Sequence, residues 1–146
     1  MIKYVKGDLL KANQPLIVHQ CNARGIMGSG VARQVKEQYP SVYGQYYDMC
    51  DSRPRSKLMG EVQIVPIDDK RSIVNLIGQY HFLPRTQRHT DYNALEKGFK
   101  QLKREQPKVD LAMPKIGCGL GGGDWNIVSQ LIVDIFDDRT VYVYEL

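Results

Sequence analysis

Five of the seven residues at 117–123 are glycine, preceded by Pro114, Lys115 and Ile116 and followed by Asp124 and Trp125. A glycine inside a regular element costs roughly 0.5–1 kcal/mol, so a packed core does not accumulate them. A loop that brings its backbone close to a ligand does. An apolar run at 109–113 leads into this loop, and a helix-like run at 126–136 leads out. Glycines between a strand and a helix start present free N–H groups beside the positive end of a helix dipole, which together make a cradle for phosphate. An ordinary strand-to-helix link needs only about 2–6 residues. A second loop of this kind, residues 21–30 with Gly25, Gly28 and Gly30, follows the apolar run 16–20. Two cradles facing each other suit a diphosphate better than a single phosphate.

Groups able to move a proton near these loops are few. Asp124 fits either an N-cap for the helix that follows or a group that places water. His19 fits either a hydrogen-bonded core histidine or, if its ring reaches the loops, an acid or base. The stretch 78–90 carries His81, Arg85, Arg88 and His89. Arg85 there fits either a solvated loop or a two-donor clamp on a terminal phosphate. Cys118 lacks the arginine six positions on that a phosphatase thiolate requires, since that place is Asp124; it reads as a small filler. There is no Gly-Lys-Ser/Thr phosphate loop and no Asp-x-Asp pair for magnesium. Neither a metal nor a cofactor is called for.

The elements that must hold these groups alternate. Strands are expected at 2–6, 16–20, 61–67, 72–77, 109–113 and 140–146, from apolar runs and β-branched residues bounded by turn signals. Residues 68–71 join the third and fourth as a hairpin. Helices are expected at 31–38, ended by Tyr39-Pro40, at about 41–51 with Ser41 as N-cap, after a cap at Thr90 or Asp91 with Leu95, Phe99 and Leu102 as the inner stripe, and at 126–136. Strands alternating with helices imply an α/β layer structure with a mostly parallel, mixed sheet. In such sheets ligands sit beyond the carboxyl ends of the strands. Both glycine loops follow strands, so they are expected on one rim.

Bulk properties narrow the classes. One domain is expected from 146 residues, with 42% apolar and 25% charged residues. The net charge of +4 suits an anionic small molecule. Lys and Arg are scattered, so no dedicated nucleic-acid surface is indicated. Three widely spaced cysteines argue against a disulfide framework or zinc site and for a reducing, cytoplasmic setting. No signal-peptide core opens the chain, and no apolar run approaches the ~18 residues of a membrane span.

Three blocks in order carry a family likeness: Gly7-Asp8-Leu9-Leu10 after the first strand, Val18-His19-Gln20-Cys21-Asn22 leading to Met27-Gly28-Ser29-Gly30-Val31-Ala32, and Pro114-Lys115-Ile116-Gly117-Cys118-Gly119-Leu120 with Trp125 beyond. Across nearly its whole length the chain resembles the macrodomain family. It is most similar to the single-domain branch of phages, bacteria and fungi that processes ADP-ribose 1''-phosphate, neighbour to enzymes that remove ADP-ribose from glutamate or from thymidine in DNA. The resemblance implies a three-layer α/β/α fold on a sheet of about six strands. The implied ligand is ADP-ribose or ADP-ribose 1''-phosphate, free or carried on ADP-ribosylated macromolecules, in a bacterial cell or phage-infected host.

By position, the resemblance implies that Asp8 accepts a hydrogen bond from the adenine amino group, with Leu9 as its backbone partner, and that Tyr144 stacks on the base. Gly28, Ser29, Gly30, Val31 and Ala32 form the first diphosphate loop. Ile116, Gly117, Cys118, Gly119, Leu120 and Gly121 form the second, and Gln20 joins the ligand-binding set. Asn22 is implied near the distal ribose and stands with His19 and Asp124 as a catalytic candidate. The neighbouring glutamate- and DNA-directed enzymes carry a lysine after the fourth core strand, where this chain has Gly78-Gln79-Tyr80. The glutamate-directed ones also carry an acid where this chain has Gly121. These departures disfavour a lysine nucleophile and favour hydrolysis of a terminal phosphate. The alternatives are a reader without turnover and a water-dependent ADP-ribosyl hydrolase.

Overall fold

The structure, a computed structural model, describes residues 1–146. Six strands are β1 (Ile2–Lys6), β2 (Leu16–Asn22), β3 (Val62–Pro66), β4 (Ser72–Gln79), β5 (Leu111–Met113) and β6 (Val141–Glu145). Four helices are α1 (Gly30–Gln38), α2 (Pro40–Ser52), α3 (Tyr92–Glu105) and α4 (Trp125–Ile135). The strands form one sheet in the order β1-β6-β5-β2-β4-β3. Every neighbouring pair is parallel except β3 and β4, the hairpin expected around 68–71.

The continuous apolar character of β2 and β4 follows from burial on both faces of a parallel sheet. Alternate residues of β2 serve opposite cores. Leu16 and Val18 join α3 and α4 in one cluster with Leu95, Phe99, Leu102, Val128 and Ile132. Ile17 and Cys21 join α1 and α2 in the other, with Val35, Val42 and Tyr46. Helices therefore cover both faces of the sheet, giving three α/β/α layers.

Local chemistry sets the boundaries. Asp91 rather than Thr90 caps α3, its carboxylate accepting from the amides of Asn93 and Ala94 at 2.9 and 3.1 Å. The cap of the second helix stands two residues earlier than expected, at Tyr39 rather than Ser41, with Pro40 in the first turn. Proline is already shaped for that place and lacks an amide that would go unpaired there, so Ser41 lies inside the helix. A short 3-10 turn, Leu9–Lys11, follows β1, and a second, Arg55–Lys57, interrupts the polar loop after α2. No helix is long and apolar enough to cross a membrane.

The strand order places β2 beside β5. The chain leaves β2 for α1 on one face and leaves β5 for α4 on the other. At such a switch point the two exits diverge and open a crevice at the carboxyl edge of the sheet.

Candidate functional site

That crevice is a cleft of about 390 Å³, and both glycine loops line it. The first lip contributes Ile26, Gly28, Ser29, Gly30, Val31 and Ala32; the second contributes Pro114, Lys115, Ile116, Gly117, Gly119, Leu120 and Gly121. His19, Gln20, Cys21 and Asn22 from the end of β2 lie between them, and Gln79, Phe82 and Arg85 close the side beyond β4.

Each lip exposes backbone donors. Ser29 caps α1 by position, but its side chain makes no capping bond. The amides of Gly30, Val31 and Ala32 donate to no group of the protein, as first-turn amides do when no side chain takes them up. Gly30 sits at φ 59°, a left-handed conformation that side-chain-bearing residues avoid. On the second lip the amides of Gly119, Leu120 and Gly121 are likewise unpaired within the chain, while Gly122 and Gly123 donate back to Gly119 and Gly117 at 3.0 and 2.8 Å. Successive amides turned outward in this way form a concave anion site. No Asp or Glu lines the cleft; its two cationic side chains are Lys115 and Arg85.

The second lip is held in shape by groups below it. The Thr90 hydroxyl donates to the Gly117 carbonyl at 2.6 Å and accepts from Gln20 Nε2 at 3.0 Å. Gly117 has φ 74°, and a Cβ there would lie 2.9 Å from Gln20 Oε1. A Cβ on Gly121 would collide with the Thr90 hydroxyl and come within 2.9 Å of the Gly117 carbonyl. The glycines are thus required by packing beneath the lip as well as by openness above it. At the far end of the lip, Trp125 Nε1 donates to the Tyr4 hydroxyl on β1 at 3.0 Å.

The three catalytic candidates take different places. Asn22 lines the cleft, but its carboxamide is occupied by its own loop. Nδ2 donates to the Ile26 carbonyl at 2.8 Å and Oδ1 accepts from the Arg24 amide at 2.9 Å. Tyr46, fully buried, donates its hydroxyl to the Asn22 carbonyl at 2.6 Å. Asn22 therefore shapes the first lip.

His19 is 1% exposed, and its Nε2 lies 2.6 Å from Asn75 Oδ1. Asn75 Nδ2 donates in turn to Gln63 Oε1 at 3.0 Å. Burial drives the imidazole pKa from 6.5 down to about 4, against the opposing pull of Asn75. The ring is neutral at physiological pH, so it cannot deliver a proton as imidazolium there. The neighbouring Cys21 thiol, 3.6 Å from His19 Nε2, is held protonated by burial.

Asp124 does not line the cleft. Its carboxylate accepts from the Asn126 amide at 2.9 Å and caps α4. The structure thus gives Asp124 the capping role that the sequence allowed, with its carboxylate near enough to Cys118 of the second lip to raise that thiol's pKa. Asp124→Ala is expected to lower stability by about 1 kcal/mol, as loss of a cap does, and to leave the affinity for ADP-ribose within twofold. Chemical denaturation and calorimetry on the one variant check both.

Asp8, Leu9, Cys118 and Tyr144 also lie outside the cleft lining. Asp8 Oδ1 accepts from the Leu10 amide at 3.0 Å, capping the short turn after β1. Leu9 is core. The Tyr144 ring lies beside Gly7, and its hydroxyl donates to Gln14 Oε1 at 2.9 Å. Asp8 and Tyr144 stand at the ends of the adjacent strands β1 and β6, on the same rim as the lips but further along it. Cys118 donates weakly to the Ile116 carbonyl, and burial raises its pKa to about 11. A thiol of that kind is no nucleophile at neutral pH.

Gln79 and Thr90 escaped sequence reasoning. Neither residue type carries a chemical signature, and their meeting with Gln20 is a product of tertiary folding. No three His, Cys, Asp or Glu side chains converge as metal ligands.

Comparison with known proteins agrees with this fold. The Macro domain family model matches residues 18–132, from the middle of β2 into α4. A DNA ADP-ribosyl glycohydrolase of Mycobacterium tuberculosis is 31% identical over 140 residues, covering 93% of this chain. The match takes in 39% of that protein, so the chain spans about two fifths of its length. An ADP-ribose 1''-phosphate phosphatase of Candida glabrata is 29% identical, with 99% of this chain and 98% of that protein covered. Among solved structures, a Bacteroides thetaiotaomicron protein of unknown function superposes with a TM-score of 0.87 at 27% identity, covering 100% of this chain and 98% of its own. With its family model spanning both glycine lips and the strands that carry them, this chain belongs to the Macro domain family.

Proposed function

We propose that this protein binds ADP-ribose and hydrolyses the terminal phosphate of ADP-ribose 1''-phosphate. The observation that carries the reading is the pair of facing lips, each with consecutive unpaired amides, around a cleft that contains no carboxylate. Unpaired amides in such a place stabilise a diphosphate, and a lining acid would repel it. Asp8 Oδ2 is left to accept from the adenine amino group while Oδ1 caps its turn. Relatives named for the phosphatase reaction cover this chain almost end to end.

The reaction adds water at phosphorus and breaks the bond between phosphorus and the ribose oxygen, releasing ADP-ribose and inorganic phosphate. Charge developing on the phosphoryl oxygens is met by oriented N–H groups that need no reorganisation. With His19 neutral and no carboxylate lining the cleft, the ribose oxygen takes its proton from water or from the phosphate itself. The site thus works by positioning and electrostatics, which suffice for much of phosphoryl transfer.

The stretch where a lysine nucleophile would stand is Gly78-Gln79-Tyr80, which has no lysine, and Gln79 there is a neutral amide bonded to Gln20 at 2.7 Å. Removal of ADP-ribose from modified protein or DNA would then need water as nucleophile. Phosphate release from ADP-ribose 1''-phosphate tests the proposal: phosphate above blank is expected. Heat on titration with ADP-ribose but no phosphate would leave a binding module. Release of ADP-ribose from modified glutamate or thymidine would establish the hydrolase reading instead.

A further inference from the structure

We propose that residues 79–90, the last residue of β4 and the segment following it, form the subsite for the group beyond the distal ribose, with Arg85 as the counter-charge that selects a terminal phosphate. The inference rests on the ADP-ribose reading above and adds to it the element that sets terminal-group specificity.

Strand order supplies the direction. The parallel strands β1, β6, β5, β2 and β4 end on one rim in that spatial order. Asp8 follows β1, the second lip follows β5, the first lip follows β2, and Gln79 ends β4. From β1 to β4 is four strand spacings, about 19 Å at ~4.8 Å each. A nucleotide with adenine at Asp8 and diphosphate between the lips therefore carries its distal ribose toward β4 and the segment beyond it.

Charge supplies the chemistry. Of the two cations lining the cleft, Lys115 pairs with Glu145 of β6 at 2.9 Å. Arg85 forms no ion pair and no hydrogen bond within the chain, and it stands on the β4 side. The other charged or titratable groups of the segment, and Asp91 just beyond it, are engaged elsewhere, with Tyr80 packed edge-on against the His81 ring. His81 Nδ1 accepts from Arg24 Nη1 at 2.8 Å, His89 Nε2 lies 2.6 Å from the Pro84 carbonyl, Arg88 stacks over the Tyr92 ring, and Asp91 caps α3. A guanidinium matches phosphate with two parallel donors.

The segment is anchored at both ends and open in the middle. Gln79 Oε1 accepts from Gln20 Nε2 at 2.7 Å, and its Nε2 donates to the His81 carbonyl at 2.7 Å. At the other end the amides of His89 and Thr90 donate to the Gly121 carbonyl at 2.8 and 3.1 Å, and the Thr90 hydroxyl holds the Gly117 carbonyl. Gln20 Nε2 bonds both Gln79 and Thr90, so one carboxamide joins the two ends to β2. Phe82 and Arg85, between the anchors, are the members left facing the cleft. Thr90 is thus a positioning residue for the segment and for the second lip together.

The test is calorimetric binding of ADP-ribose and of its 1''-methylenephosphonate, which keeps the terminal charge and cannot be hydrolysed. Wild-type protein is expected to prefer the phosphonate by about 10- to 100-fold, the range of a charge-assisted pair. Arg85→Gln is expected to abolish the preference while changing ADP-ribose affinity less than threefold, and Arg85→Lys to keep part of it. Thr90→Val is expected to weaken both ligands, with Thr90→Ser restoring them. A preference that survives Arg85→Gln, or that wild-type protein lacks, overturns the assignment of this subsite while the nucleotide reading stands. Binding of neither ligand overturns both. Preference erased by Arg85→Gln supports the subsite even if no phosphate is released from the natural ester.

Discussion

Gly121→Val is expected to weaken ADP-ribose binding by more than about 100-fold, with a stability loss of about 1–3 kcal/mol. The new side chain would enter space held by the Thr90 hydroxyl, the Gly117 carbonyl and Gln20 Nε2. Overpacking a filled site costs about that much, and relief requires the second lip to move off its support. The unpaired amides of Gly119, Leu120 and Gly121 move with it. Loss of two hydrogen bonds to a charged phosphate, at about 1.5–3 kcal/mol each, accounts for the change in affinity. Gly119→Ala is the control. A Cβ at Gly119 meets no atom within 4 Å, so stability is expected to change by less than about 0.5 kcal/mol. Calorimetry with ADP-ribose and thermal melting of both variants check this. Equal affinity for Gly121→Val and wild type would mean that the second lip does not hold the diphosphate.

Acid lability centred on His19 is the second large effect. Its folded pKa of about 4 lies below the unfolded value of 6.5 because burial penalises the imidazolium. Between those values the unfolded chain binds a proton that the folded chain refuses, so stability rises with pH across that window. His19 therefore costs nothing above about pH 6.5, and its penalty grows to about 3 kcal/mol as pH falls to 4. Denaturant melts at pH 7 and pH 4.5 should show the loss. His19→Gln, which keeps a donor for Asn75 and cannot ionise, should remove most of the difference between the two pH values. An unchanged pH dependence in the variant would show that His19 is not the group being protonated.

The same histidine illustrates what local reading can and cannot resolve. From position alone it suited either a packed strand or a working base. Packing decided, through Asn75 on the neighbouring strand, 56 residues away. Asp124 was similarly divided, and the structure gives it a cap's hydrogen bond, from the Asn126 amide. Asn22 carried a family expectation at the distal ribose, but Tyr46 and the turns of its own loop claim its polar atoms.

The order of strands and helices and the two glycine loops were legible from the sequence because each rests on chemistry a few residues long. Apolar runs, prolines, caps and glycine content act within one element. Parallel strands then oblige loops that follow them to share a rim. Tertiary structure alone decided how the cleft is furnished. The joining of Gln20, Gln79 and Thr90, the support of Gly117 and Gly121 from below, and the placing of Arg85 on the β4 side of the cleft all depend on strand order. Strand order depends on which faces bury best against which helices, a property of the whole chain that no short stretch encodes.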